Sequence, residues 1–270
     1  MTSVQISSYW RTASITALGD ILSPSRITSG ATRMALQLFL VVCLWRSLYK
    51  YTTISAGLSE VQGVSYAVLA VLAMRIRGTP RFLARDMVLQ HVQFGTIVYW
   101  FLRPMTPQRY YLLREVGDQL YGFTWAIIGY ALCVSSGVLS LPSSLLGFLA
   151  FAASLLLGQS LLYYLVLLTD QACFWAIKNS SAVGILVFAQ NLLSGAYAAL
   201  WYFPHWFQML SLALPFEYTM GVPLSFYIGR LAPEELPGKL AIAAAWILAL
   251  AIVTRLLWRR AGERVVSQGG

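Results

Sequence analysis

Residues 119–169 read QLYGFTWAIIGYALCVSSGVLSLPSSLLGFLAFAASLLLGQSLLYYLVLLT, and these 51 consecutive positions contain no charged side chain. A transmembrane helix needs about 20 mostly apolar residues, so the stretch is long enough to cross a bilayer twice. Ser136-Gly137 and Leu141-Pro142-Ser143-Ser144 supply turn-forming residues near its centre. We therefore predict two consecutive membrane-spanning helices at about 117–136 and 143–168.

The composition of the whole chain also indicates a membrane protein. Apolar residues make up 58% of the 270 residues, charged residues only 11%, and the mean hydropathy is +0.66. Soluble proteins carry about 25% charged residues, so this chain has too little polar surface to cover a globule in water. We predict an all-α integral membrane protein with a single transmembrane domain over residues 1–270.

Four further apolar stretches predict spans at about 30–49, 57–76, 176–200 and 239–258, which makes six in total. The apolar segment 87–102 is not counted, because arginines flank it on both sides. If both flanks face the cytoplasm, a 16-residue segment is too short to cross twice. It is therefore predicted to lie along the inner leaflet. Its flanking arginines are Arg75, Arg77, Arg81 and Arg85 before it and Arg103, Arg109 and Arg114 after it.

The net charge of +9 comes mainly from arginines at the ends of apolar stretches. This distribution follows the positive-inside rule and does not resemble a nucleic-acid interface, where basic and aromatic residues alternate on a soluble element. Six crossings with both termini in the cytoplasm satisfy the charge of every loop.

Three segments outside the spans have predicted roles. Residues 1–29 alternate apolar with Ser, Thr and Arg residues, which predicts an amphipathic elbow helix and not a signal peptide. Residues 77–114 are predicted to be a cytoplasmic coupling region. Residues 201–237 are rich in proline and aromatic residues and too apolar for a free loop. Short helices that dip into the outer leaflet and return are expected there.

The sequence offers no catalytic or metal-binding motif. Its three cysteines form no CxxC pair, and two histidines are too few for a His/Cys zinc site. No GxxxxGK[ST] motif occurs, and the one Gly-Lys pair, Gly238-Lys239, lacks the other residues of a phosphate-binding loop. We predict that the chain has no cofactor and is not an enzyme on its own.

Several short motifs follow one another in an order similar to that of a known family. In order and spacing, the chain resembles the type-2 ATP-binding-cassette exporter permeases of a small bacterial branch. The motifs are Phe101-Leu102-Arg103-Pro104-Met105-Thr106-Pro107 (similar to "LLRPLSP"), Ala172-Cys173-Phe174-Trp175, Leu193-Ser194-Gly195, Phe203-Pro204-His205-Trp206, Leu214-Pro215-Phe216, and Gly221-Val222-Pro223 with Ile228-Gly229. The likeness covers essentially the whole chain.

The resemblance implies an exporter of two permeases and two ATPase chains that works by alternating access in the bacterial inner membrane. ATP and magnesium would be bound by the partner ATPase. The second permease would be identical or a diverged paralogue. The resemblance also implies the elbow helix, a coupling helix after span two and a re-entrant outer element before span six. The expected cargo is an amphiphilic or hydrophobic small molecule.

Two sets of residues are candidates for function. Charged residues on the cytoplasmic side are expected to dock the ATPase, although anchoring to lipid headgroups requires the same arginines. Polar residues at membrane depth are candidates for the translocation path, although such residues usually bond helices to each other. The docking candidates are Arg81, Arg85, Asp86, Arg103, Arg109 and Asp170; the path candidates are Gln159, Tyr163, Gln190, Asn191 and Glu217.

Two other function classes were weighed. An ion-gradient-driven secondary carrier usually shows internal repeats and acidic groups at mid-membrane, and neither is evident. A membrane-embedded enzyme needs a constellation such as Ser/His or paired Asp at depth, which His91 and His205 do not supply.

Overall fold

The computed structural model describes residues 23–51, 57–77, 107–142, 144–171, 174–175 and 180–268. Within these ranges every regular element is a helix. The α-helices are α1 (Pro24–Tyr51), α2 (Glu60–Ile76), α3 (Pro107–Ser135), α4 (Leu145–Gln171), α5 (Ser180–Leu193), α6 (His205–Leu212), α7 (Gly221–Tyr227) and α8 (Leu236–Gln268).

By length and composition, three helices in the described ranges can cross a membrane: Ile27–Lys50, Leu145–Thr169 and Pro233–Ala261. They match the first, fourth and sixth predicted spans. Shorter apolar helices, Gln119–Ser135 and Gly184–Leu193, lie in the third and fifth. A membrane protein with several spanning helices is thus confirmed, and the total of six remains a prediction.

The second predicted span forms the central helix of the bundle. Ser59 caps α2, because its hydroxyl accepts from the Gln62 N–H at 3.3 Å while the Gln62 side chain accepts from the Ser59 N–H at 3.1 Å. Most of α2 is buried, between α1 on one side and α3 on the other. Exposed apolar surface is supplied instead by α1, whose Leu36, Phe39 and Leu44 are exposed.

The α3–α4 pair follows the prediction from residues 119–169, with one extension. Gly137 adopts φ 67° in the predicted turn, and the Ser144 hydroxyl caps α4 by accepting from the Gly147 N–H at 2.9 Å. However, α3 begins at Pro107, ten residues before the predicted span. Residues 107–114 of the predicted coupling region therefore belong to the same continuous helix.

Helix α5 is shorter than the predicted span at 176–200. Its 14 residues measure about 21 Å at 1.5 Å per residue, which is less than the hydrocarbon thickness of a bilayer. The helix ends at Leu193, where the chain turns through Ser194 and Gly195, the latter with φ 77°.

Residues 201–237, predicted to be an outer re-entrant region, form a series of short helices, and their position relative to the membrane remains a prediction. From the end of α5 the chain reaches a 3-10 turn at Leu200–Tyr202, where the Tyr202 hydroxyl bonds the Tyr49 hydroxyl at 2.6 Å near the end of α1. After α6 it returns to a second 3-10 turn, Glu217–Thr219. Every residue of α7 is buried, in contact with α4 and α2.

Candidate functional site

The most distinctive side chain in the described structure is Arg77, directly after α2. It is 4% exposed, and its guanidinium donates to the Thr219 hydroxyl at 3.0 Å, the Ser194 hydroxyl at 3.3 Å and the side-chain carbonyl of Asn191 at 3.4 Å. The sequence placed Arg77 at the start of the cytoplasmic region. The structure shows that its long side chain reaches into a buried polar pocket, which charge patterning does not reveal.

The depth of this contact follows from Gly158. This glycine is the central residue of α4, thirteen positions from Leu145 and thirteen from Gln171. A Cβ atom at Gly158 would lie 3.0 Å from the Cα of Thr219. The acceptor of Arg77 is therefore level with the middle of a membrane-spanning helix. Charged groups at such depth are expensive unless they are hydrogen-bonded inside the protein.

Tyr66 contacts the Ser194–Gly195 turn, to which Arg77 also bonds. Its hydroxyl donates to the Gly195 carbonyl at 3.0 Å, and its ring is 2% exposed. Tyr66 and Arg77 are eleven residues apart, which places them on one face of α2 because a helix advances 100° per residue. Their side chains converge on the Ser194–Gly195 turn, within electrostatic range of each other and of Glu217.

Two of the predicted path residues, both on α5, lie beside the cluster formed by Arg77, Tyr66, Ser194 and Thr219. Asn191 accepts from Arg77 through its carbonyl, and its amide donates to the Tyr197 hydroxyl at 3.3 Å. Gln190 is 2% exposed, and its Nε2 atom has no hydrogen-bond partner. Asn191 thus bonds one element to another, whereas Gln190 retains an unused donor.

The remaining path candidates differ in their surroundings. Gln159 is 5% exposed, and neither of its amide atoms has a partner. Tyr163 is buried edge-on against Tyr164, with ring centroids 5.3 Å apart. One Glu217 oxygen is buried without a partner. Arg230, a possible partner for Glu217, instead lies over the Trp201 ring at 4.4 Å.

A cavity of about 340 Å³ lies between α2, α3 and α4. Its only lining residue with a side-chain oxygen is Tyr130, whose hydroxyl bonds the Tyr227 hydroxyl at 2.9 Å. Ile127 and Leu156 belong to the lining and are also exposed, so the cavity adjoins an exposed apolar surface of the bundle. This site suits a hydrocarbon group.

Comparison with known proteins identifies the family of the chain. Residues 35–269 match the family described as ABC-2 family transporter protein. The chain belongs to this family. No curated protein and no solved structure matches it at a significant level. As an ABC-2 membrane component, the chain has no intrinsic catalysis, and the family implies an ATPase partner on a separate chain.

The predicted docking residues of this ABC-2 protein lie outside the described side chains. Arg81, Arg85, Asp86 and Arg103 fall in residues 78–106, which the structure does not describe. Arg109 and Asp170 belong to the backbones of α3 and α4. Their role in docking remains a prediction. In the part of the chain that is described, no group of three His, Cys, Asp or Glu side chains could hold a metal.

Sequence reasoning missed Arg77, Thr219 and Tyr66 as site residues. A signal for the first was present, because Arg77 shares a helix face with Tyr66 and the intervening residues 67–74 are all apolar. No comparable signal marks Thr219, since its importance depends on the chain returning to the middle of α4.

Proposed function

We propose that this ABC-2 protein is the permease subunit of an exporter that moves an amphiphilic or hydrophobic small molecule out of a bacterial cell. Two copies of a separate ATPase chain bind ATP and magnesium and drive alternating access. A second permease, identical or paralogous, completes the complex in the inner membrane, with both termini in the cytoplasm.

The cavity between α2, α3 and α4 is the observation that supports an apolar cargo. Burial of apolar surface contributes about 25 cal/mol per Å², and a hydrocarbon group would bury its surface against the side chains that line this site. A polar solute would find one hydroxyl there, already bonded to Tyr227. The unused amides of Gln159 and Gln190 lie at membrane depth and are proposed to contact the polar part of the cargo.

Docking of the ATPase is proposed for the arginine-rich segment after α2. Arg81, Arg85 and Asp86 precede the amphipathic stretch 87–102, and Arg103 and Arg109 follow it. Asp170 adds a second contact at the end of α4. Charge reversal at Arg81 and Arg85 is expected to reduce copurification of the ATPase, because complementary charge guides association. Retention of the ATPase after both reversals, with loss of lipid binding instead, would assign these arginines to headgroup anchoring.

Transport is tested in inverted membrane vesicles that contain the permease and a coexpressed ATPase chain. The probe is a dansyl-labelled single-chain amphiphile, and uptake is followed by its fluorescence. Uptake should require ATP and disappear when the phosphate-binding lysine of the ATPase is replaced by alanine. Uptake that persists without ATP but stops with an uncoupler would support the ion-gradient carrier and overturn the proposal.

A further inference from the structure

We propose that Arg77 is a positioning residue that transmits movement of the cytoplasmic side of α2 to the outer segment between α5 and α7. This inference rests on the proposed function, since a conformational cycle driven by ATP is what would be transmitted. It concerns a residue that neither the family match nor the predicted site assigns.

The first support is the set of elements that Arg77 joins. One guanidinium bonds Asn191 and Ser194 at the end of α5, and Thr219 in the 3-10 turn before α7. A planar guanidinium has donors in a fixed fork, so these acceptors are held in one relative geometry. The turn and the end of α5 therefore cannot shift away from Arg77 without exposing a buried charge to apolar surroundings.

The second support is the tight contact between α2 and α3. A Cβ atom at Gly122 would overlap the carbonyl oxygen of Arg75, so the two backbones touch. From this contact helix α3 extends back to Pro107, which directly follows in sequence the segment predicted to dock the ATPase. A push on the start of α3 would reach the end of α2 through this backbone contact, two residues before Arg77.

The third support is Tyr66, which prevents the outer segment from turning independently. Its bond to the Gly195 carbonyl lies one residue from the Ser194 contact of Arg77. The Ser194–Gly195 turn is thus held from two directions by one rigid helix. When α2 moves, this turn is carried with it.

The experiment uses the permease reconstituted in nanodiscs with its ATPase, without added substrate. The three native cysteines are replaced by alanine, and His205→Cys, exposed at the start of α6, reports the state of the outer segment. The rate of labelling by a membrane-impermeant maleimide is compared between nucleotide-free and ADP–vanadate-trapped complexes. We expect a change of at least about fivefold, the lower range for coupled sites.

Arg77→Gln should abolish this change while ATP hydrolysis by the complex continues, and Arg77→Lys should restore part of it. Arg75→Gln is the matched control, because the Arg75 guanidinium donates to the Gln37 side chain on α1. The Arg75→Gln complex should show the same change in labelling rate as the complex that retains Arg75. A purely structural role would lower the yield of complex but leave the response of the assembled fraction intact.

A full response in Arg77→Gln would overturn the inference and leave the proposed function standing. No response in the unmodified chain would also overturn the inference, because there would be no movement of the outer segment to transmit, whereas the proposed function is decided by the uptake experiment. If Arg77→Gln fails to assemble, Ser194→Ala and Thr219→Val each remove one acceptor. Each should reduce the response, and unchanged responses in both would also overturn the inference.

Discussion

The Nη2 atom of Arg77 donates to the Thr219 hydroxyl at 3.0 Å, across 142 positions of sequence. This bond joins the end of the central helix to a turn that the chain reaches only by returning from its outer side. It explains how a charged residue is accommodated level with the middle of α4. The bond also makes Thr219 the most direct residue for testing the cluster.

Thr219→Val should lower the free energy of unfolding by about 1.5–3 kcal/mol, the range for hydrogen bonds to charged groups. The substitution preserves shape but removes the acceptor of Arg77. Unfolding in detergent micelles with increasing SDS measures the loss. Thr254→Val is the control, since this threonine is equally buried and its hydroxyl donates to the carbonyls of Leu250 and Ala251, as the Thr219 hydroxyl donates to the Phe216 carbonyl. Equal losses in both variants would contradict the role of the Arg77 bond.

Gly158→Ala should destabilise the contact between α4 and the Glu217–Thr219 turn. The new methyl group would lie 2.8 Å from the Tyr218 carbonyl oxygen, so one backbone must move. Overpacking of this kind costs about 1–3 kcal/mol. Thermal unfolding in detergent is the measurement, and Gly238→Ala is the control because its added methyl group meets no atom within 4 Å. If Gly158→Ala unfolds at the same temperature as the unmodified protein, the turn lies farther from α4 than the structure indicates.

Ala152→Trp should fill much of the cavity between α2, α3 and α4, of which Ala152 is a lining residue. We expect photolabelling by a diazirine fatty acid to decrease at peptides that contain Ile127 or Leu156. Mass spectrometry of the digested protein provides the readout. Ala249→Trp places the same ring on an exposed position of α8 and should leave the labelling unchanged. Unchanged labelling in Ala152→Trp would show that hydrocarbon does not occupy this cavity.

Tyr202→Phe should make the protein less sensitive to alkaline pH. Burial raises the pKa of the Tyr202 hydroxyl, and its hydrogen bond with Tyr49 raises it further. Because folding raises this pKa, the hydroxyl contributes stability that is fully present below the ordinary tyrosine value of about 10 and is lost as pH rises from that value toward the higher folded pKa. At neutral pH the variant loses about 1 kcal/mol with the hydrogen bond.

Thermal unfolding between pH 8 and pH 11 measures both effects of Tyr202→Phe. The decline in melting temperature with pH should be shallower than in the unmodified protein. Tyr197→Phe, at a position that is 56% exposed, serves as the control and should keep the steeper decline. Parallel declines in all three proteins would show that Tyr202 ionises equally in the folded and unfolded states, so that folding does not raise its pKa.

Hydropathy predicted the long apolar helices but did not predict helix ends that are set by backbone turns. The bounds of α4 agree with the predicted span to within three residues, because its first charged residue, Asp170, lies one position before its end. The early end of α5 was not predicted, since Ser194 and Gly195 are followed by further apolar residues. Conversely, α3 continues through Arg109 and Arg114, which are good helix formers although they are unsuited to lipid.

The candidate site could be predicted only in part for a related reason. Gln159, Gln190 and Asn191 stand out as polar residues in apolar segments, and the structure buries the two glutamines and bonds the asparagine to Arg77. Arg77 itself lies among arginines that all fit the positive-inside rule. Which of them turns inward depends on the acceptors that a distant turn provides.

A fixed positive charge level with the centre of α4 lies within the electric field across the membrane. If Arg77 moved by one helical turn, about 5.4 Å, it would cross roughly a fifth of a hydrocarbon core about 30 Å thick. At about 2.3 kcal/mol per charge per 100 mV, this displacement changes the energy by about 0.4 kcal/mol. That is less than thermal energy, so the resting voltage biases the movement of Arg77 only slightly and cannot replace nucleotide as its driving force.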